Sequence, residues 1–216
     1  MKKICIYNNK GGVAKTTSVI NVAYALHKTG RKVLVVDCDM QQNSYNFFLK
    51  NKCEGISSTA YENISNTMYE EYKKCSDKKL KGFDYVLFDL PPTLNDEVME
   101  IINSSDKVYV PMMLRQFELA GLKKLTEVCN KKLGGIFITM YEKADKEILD
   151  QFKAALKDRM MKAVIPYSRT VINSQRELLP LEEYFINRGV PRSLKNSWKV
   201  VDAYNELANE IIRGIE

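Results

Sequence analysis

Histidine and tryptophan are nearly missing from this sequence: His27 and Trp198 are the only examples in 216 residues. One imidazole cannot build a His/Cys metal centre. The five cysteines, Cys5, Cys38, Cys53, Cys75 and Cys129, are odd in number and contain no CxxC pair. They read as reduced thiols rather than as a disulfide framework or metal ligands. His27, near the carboxyl end of an expected helix, reads as a solvated or partly packed side chain. Long apolar runs are missing too. Nothing approaches the ~20 residues of a bilayer-crossing helix. The Ile4–Tyr7 run is too short for the core of a secretory leader and reads better as a first strand. Repeats, low-complexity tracts and linkers are likewise absent. The expectation is one cytoplasmic domain over residues 1–216, long enough for a sizeable core.

Charge is present in modest excess and unevenly placed. The formal net charge is +6, and residues 153–199 carry ten basic against four acidic side chains, an excess equal to that of the whole chain. Such a stretch is either the solvated face of ordinary helices or a surface for a polyanion.

Short, nearly continuous apolar runs predict strands at residues 3–7, 32–37, 85–90, 107–112, 135–140 and 163–166, as for strands covered on both faces. Between them, helical spacing recurs in Val19, Val22, Ala23 and Leu26, in Leu119, Leu122, Leu125 and Val128, and in Val201, Tyr204, Ala208, Ile211 and Ile212. This alternation predicts an α/β fold: a doubly wound, mostly parallel sheet flanked by helices, with ligands at the carboxyl ends of the strands. Residues 50–82 break the rhythm. They are polar and read as one or two surface helices with loops.

The most informative stretch is Asn9-Lys10-Gly11-Gly12-Val13-Ala14-Lys15-Thr16-Thr17, set between the first strand and the first helix. A triphosphate requires close backbone approach, several N–H donors and a cation at its β/γ end. Gly11 and Gly12 permit the approach, and Val13, Ala14, Lys15, Thr16 and Thr17 would present amides at a helix start. Lys15 would reach the β- and γ-phosphates, and Thr16 would offer its hydroxyl to Mg²⁺. Two more elements follow in order. The apolar run Val33–Val36 ends in Asp37-Cys38-Asp39, a pair of acids able to orient water and Mg²⁺ beside a γ-phosphate. The run Tyr85–Phe88 then delivers Asp89, followed by Leu90-Pro91-Pro92, as a strand-end carboxylate for the cation.

These segments resemble the ParA/MinD family of P-loop NTPases. Lys10–Thr17 is similar to its deviant Walker A motif, K-G-G-x-[GA]-K-T-[TS], with Ala14 as the tolerated variant. Asp37–Asn43 is similar to its D-x-D-P-Q-x-N switch I, with Met40 in place of proline. Asp89–Pro92 is similar to its D-x-P-P switch II. Pro111, Glu118, Gly121 and Leu122, the Thr139-Met140-Tyr141 segment and Ile165-Pro166 extend the likeness over nearly the whole chain, most weakly in residues 50–82. The resemblance implies an ATP hydrolase dependent on ATP and Mg²⁺ that dimerises on ATP. It gives Lys10 the role of crossing to the partner's nucleotide and Asp39 that of positioning the attacking water. Asp37 would support the metal and phosphate shell, Asp89 would hold the metal, and Pro166 and Tyr167 would contact the base.

Within the family, nothing is placed like the cluster-binding cysteines of nitrogenase-reductase-like members, and the tyrosine cluster of the bacterial kinases is missing. The last helix carries Asp202, Glu206, Glu210, Arg213 and Glu216, a net acidic set that suits its own sheet better than anionic lipid. Lys10 comes so early that no helix-turn-helix domain is expected ahead of it. The resemblance therefore points to a small ParA-type DNA-partition ATPase, nucleoid-associated with ATP and stimulated by a ParB-like adaptor. Arg169, Arg192, Lys195 and Lys199 are its candidate contacts to DNA phosphates. A MinD-like positioning ATPase acting on a membrane or protein complex is the alternative, and a nucleotide-binding regulator without turnover a third.

Overall fold

A computed structural model describes residues 1–53, 64–114 and 119–215. Seven strands form one sheet in the order β3-β2-β4-β1-β5-β6-β7, and every pairing is parallel. The strands are β1 (Lys2–Ile6), β2 (Val33–Asp37), β3 (Ile64–Met68), β4 (Tyr85–Asp89), β5 (Lys107–Met112), β6 (Leu133–Tyr141) and β7 (Met160–Pro166). The helices are α1 (Lys15–Lys28), α2 (Asn43–Cys53), α3 (Tyr69–Lys73), α4 (Asp77–Leu80), α5 (Asp96–Ser104), α6 (Leu119–Cys129), α7 (Lys146–Leu156), α8 (Arg169–Arg176), α9 (Leu181–Asn187) and α10 (Lys195–Ile215).

The strand pleat sends alternate residues to opposite faces. Ile4, Ile6, Val33, Val35, Tyr85, Leu87 and Phe137 join one core beneath α1 and α10. Cys5, Leu34, Val36, Val86, Phe88, Ile136 and Ile138 join a second core beneath α5 and α7. Two cores on one sheet explain why the strands read as unbroken apolar runs, and the doubly wound expectation is met.

Two local expectations are corrected. Residues 50–82 contain β3 as well as the surface helices α3 and α4. The strand Ile-Ser-Asn-Thr-Met is a half-exposed edge, so it carries no continuous apolar run. β7 starts at Met160, three residues ahead of the predicted start. Its opening alternates buried Met161 with exposed Lys162, the period of an edge strand rather than of a buried one. The free cysteines Cys5, Cys38, Cys75 and Cys129 form no disulfide among the described residues.

α10 lays Trp198, Val201, Tyr204, Leu207, Ala208 and Ile211 against the sheet. Its Glu210 carboxylate accepts hydrogen bonds from the backbone amides of Lys162 (2.9 Å) and Ala163 (2.7 Å), covering part of the β7 edge. Glu210 thus uses its charge inside the fold, as the acidic composition of the helix suggested. Among the described residues no helix is long and apolar enough to cross a membrane.

Candidate active site

The loop after β1 is tied down before it turns. Asn8 donates through Nδ2 to the Pro111 carbonyl (2.8 Å) and accepts the Lys10 amide on Oδ1 (3.0 Å). The Thr139 hydroxyl lies 3.3 Å from the carbonyl oxygens of both Val13 and Met112. Gly12 takes φ +73° and Ala14 φ +64°. The first is free for glycine; the second is strained for alanine, in the position where the general P-loop carries glycine. Ala14 caps α1 with its carbonyl alone. The Ala14 side chain makes no capping hydrogen bond to the helix's first amides, and no acid lies in its first turn. Those amides and the positive end of the helix dipole are left for an anion.

Lys15 is buried, with Nζ donating to the Lys10 carbonyl at 3.0 Å. Burial lowers its pKa, while the charges of Asp89 and Asp39 act in the opposite direction. Asp39, Asn43, Pro92 and Met140 face Gly11, Gly12, Lys15, Thr16 and Thr17 across a cleft of about 330 Å³. A second pocket of about 120 Å³ shares Ala14, Thr17 and Met140 with it and is lined further by Ile165, Pro166, Tyr167 and Ile172. The structure therefore sets Pro166 and Tyr167 beside the phosphate loop, in a mostly apolar recess suited to a planar base.

Asp37 and Asp89 end adjacent strands in direct register. Asp37 is completely buried and both its oxygens are engaged. Oδ1 accepts the Asp39 amide (2.9 Å), and Oδ2 accepts the Ser44 hydroxyl (2.9 Å) and the Tyr45 amide (2.8 Å). Its carboxylate folds the Cys38–Asn43 loop over the cleft and anchors the start of α2. Asp37 thus holds the loop from inside the fold, directly behind the cleft. Asp89 differs: both its carboxylate oxygens are buried and receive no hydrogen bond of good geometry, with the Thr16 and Ser44 hydroxyls as near polar neighbours. Burial, then the neighbouring Asp37 charge, pushes its pKa up to about 7, while the nearby Thr16 and Ser44 hydroxyls and the Lys15 ammonium pull it down. A carboxylate buried without well-formed hydrogen bonds is a costly feature with no packing benefit.

The remaining candidates divide. Arg169, the first residue of α8, and Lys195 and Lys199 at the start of α10 are exposed. Arg192 is exposed as well, but it has partners on its own surface. Its guanidinium pairs with Asp202 (2.7 Å) and Glu182 (3.4 Å) and lies 3.8 Å from the centre of the Trp198 ring. Its side chain is still about half exposed, so these pairs leave part of the guanidinium open to solvent. Glu118 lies outside the described residues. Sequence reasoning missed Asn8, Ser44 and Gln175, whose Nε2 donates to the Thr17 hydroxyl at 2.7 Å. Only the fold brings Gln175 to the loop; Asn8 and Ser44 flank the motifs closely enough that their amide and hydroxyl were a readable signal.

Comparison with known proteins decides the family. An AAA domain family model matches residues 1–81 and 58–133, more than half of the chain. The chain belongs to the ParA/MinD family of deviant Walker A ATPases. It is 26% identical to the chromosome-partitioning ATPase Soj of Treponema pallidum, with 98% of this chain and 97% of that protein covered. It is 24% identical to the sporulation initiation inhibitor protein Soj of Bacillus subtilis, covering 97% and 98% respectively. Among solved structures, the septum site-determining protein MinD of Pyrococcus horikoshii, complexed with Mg-ADP, superposes with a TM-score of 0.70 at 24% identity over 97% of this chain and 95% of that one.

For a ParA/MinD protein, the residues in this cleft fit a magnesium ion. Among the described residues no three His, Cys, Asp or Glu side chains gather as a protein-only metal cage. Mg²⁺, however, needs only one or two protein oxygens when phosphates complete its shell. Asp89 provides two buried oxygens at the end of β4, and the Thr16 hydroxyl lies beside it.

Proposed function

We propose that the chain is a ParA-like ATPase that dimerises on ATP, binds DNA without sequence preference and drives partition of a plasmid or chromosome. A ParB-like partner would stimulate hydrolysis and release it. The observation that carries the nucleotide half is the buried Asp89 carboxylate beside Lys15 and Thr16, at the mouth of an uncapped helix start. Bound Mg²⁺ would neutralise phosphate charge as it develops. Lys15, already dry and held against Lys10, binds the β/γ end of the triphosphate, and the α1 amides hold its oxygens. Asp39 accepts a proton of the attacking water and orients it, held in place by the Asp37-anchored loop. Lys10 completes the site of a second subunit. Pro166 and Tyr167 receive the base.

The DNA half is supported by the exposed cations Arg169, Lys195 and Lys199 and by the names of the partition relatives. Against the MinD-like reading stands α10, whose apolar face is buried on its own sheet and whose Glu210 is bonded there. The test is binding to random double-stranded DNA. With Mg-ATP the affinity should fall with salt at a log–log slope of about −0.9 per phosphate contacted, and with ADP binding should vanish. Replacing Arg169, Lys195 and Lys199 together by alanine should flatten the slope by a few units while nucleotide binding survives. A wild-type chain that ignores DNA but pellets with anionic liposomes overturns the DNA reading.

A further inference from the structure

α8 is an eight-residue helix whose one buried residue is Ser174. Val171 packs against the core only in part. An element with so little buried apolar surface has low local stability, and its few polar ties matter correspondingly more. The tie at its carboxyl end is Gln175, donating to the Thr17 hydroxyl oxygen at 2.7 Å. Thr17 belongs to the phosphate loop and lines both the phosphate cleft and the base pocket. Its carbonyl accepts from Asn21 Nδ2 (2.8 Å), and Asn21 Oδ1 accepts the amide of Leu181 at the start of α9 (2.9 Å). Two side chains therefore link the first turns of α1 to α8 and α9, the first two helices after β7.

A hydroxyl has one proton to give and two lone pairs to receive. With Gln175 donating to the Thr17 oxygen, the Thr17 proton is left for an acceptor in the cleft. Donation from that hydroxyl to an anionic oxygen strengthens the bond it receives from Gln175, because hydrogen bonds in a chain polarise one another. We infer that Gln175 is a positioning residue: it sets the Thr17 hydroxyl as a donor to a nucleotide phosphate, and phosphate binding in turn fixes α8 and the Arg169 that opens it. The inference rests on the nucleotide reading of the loop.

The test uses the full chain, with ADP and ATP affinities from calorimetry and amide exchange read over α8 and α1. Gln175→Ala should weaken both nucleotides about three- to tenfold, the range of one hydrogen bond. Nucleotide should then no longer add protection to α8, while the protection it adds to α1 remains. In a Thr17→Val background, Gln175→Ala should change affinity less than twofold. In Thr17→Ser, which keeps the hydroxyl, its full effect should return. Equal losses in the wild-type and Thr17→Val backgrounds overturn the inference, since Gln175 would then act on the ligand or on general stability. Unchanged affinity and α8 protection in Gln175→Ala, with the wild type binding normally, also overturn it and leave the nucleotide reading intact. A wild-type chain that binds neither nucleotide overturns both.

Discussion

Asp89→Asn should make the nucleotide-free protein more stable while removing its response to Mg²⁺. The Asp89 carboxyl is pushed up to about 7 from an ordinary 3.8 by burial and by Asp37 in the same register. A raised acid pKa means that the folded state binds more protons than the unfolded chain between those two values. Wild-type stability from this group therefore falls as pH rises from about 4 to about 7. At pH 8 the ionised, buried carboxylate costs about 4 kcal/mol relative to the unfolded chain. An asparagine amide in its place costs roughly 1–3 kcal/mol to bury, less where the Thr16 and Ser44 hydroxyls meet it. The net gain is roughly 2 kcal/mol, which for a chain of this size corresponds to about 4–8 °C in melting temperature. At pH 5.5 the wild-type penalty drops to about 2 kcal/mol and the two proteins should melt together. Thermal melts with chelator and no nucleotide, at both pH values, test this. With Mg-ADP present the order should reverse, because the wild type alone gains the Mg²⁺-dependent part of the ligand stabilisation. A variant melting at or below wild type at pH 8, or a gap identical at both pH values, refutes the argument.

The other expected outcomes concern the loop. Lys15→Ala should abolish nucleotide binding in titration calorimetry, whereas Lys10→Ala should bind as a monomer and lose the ATP-dependent rise in light scattering; equal loss in both removes the case for a lysine that acts across a dimer. Asp39→Ala should keep its Mg-ATP affinity but lose at least about 100-fold in turnover, since orienting water is a transition-state role. Turnover at the wild-type rate would show that Asp39 does not position the water. Ala14→Gly should stabilise the nucleotide-free chain by roughly 1 kcal/mol or less, the relief of a positive φ offset by glycine's greater unfolded entropy. A clear drop in melting temperature would mean that Ala14 is not strained.

Much of the architecture was legible in the chain itself. A strand covered on both faces must be apolar along its whole length, so β1, β2, β4 and β5 could be located to within a residue or so at either end. The phosphate loop was equally plain, because close backbone approach and a positive φ demand Gly12, and a triphosphate demands Lys15. Edge strands escaped for the converse reason. β3 and the start of β7 have one side open or covered by side chains, and their half-polar patterns match loops equally well. Charge was the least legible property. Arg169, Arg192, Lys195 and Lys199 are all exposed cations, yet only tertiary packing brings Asp202, Glu182 and the Trp198 ring beside Arg192. The two strand-end acids make the same point. Asp37 and Asp89 close similar apolar runs. The fold turns the loop amide and the start of α2 onto the first, and buries the oxygens of the second beside the phosphate loop without a hydrogen bond of good geometry. A residue's type and spacing determine what it is able to do, whereas the partners that neutralise or desolvate it arrive from distant parts of the chain and are decided only when the sheet is assembled.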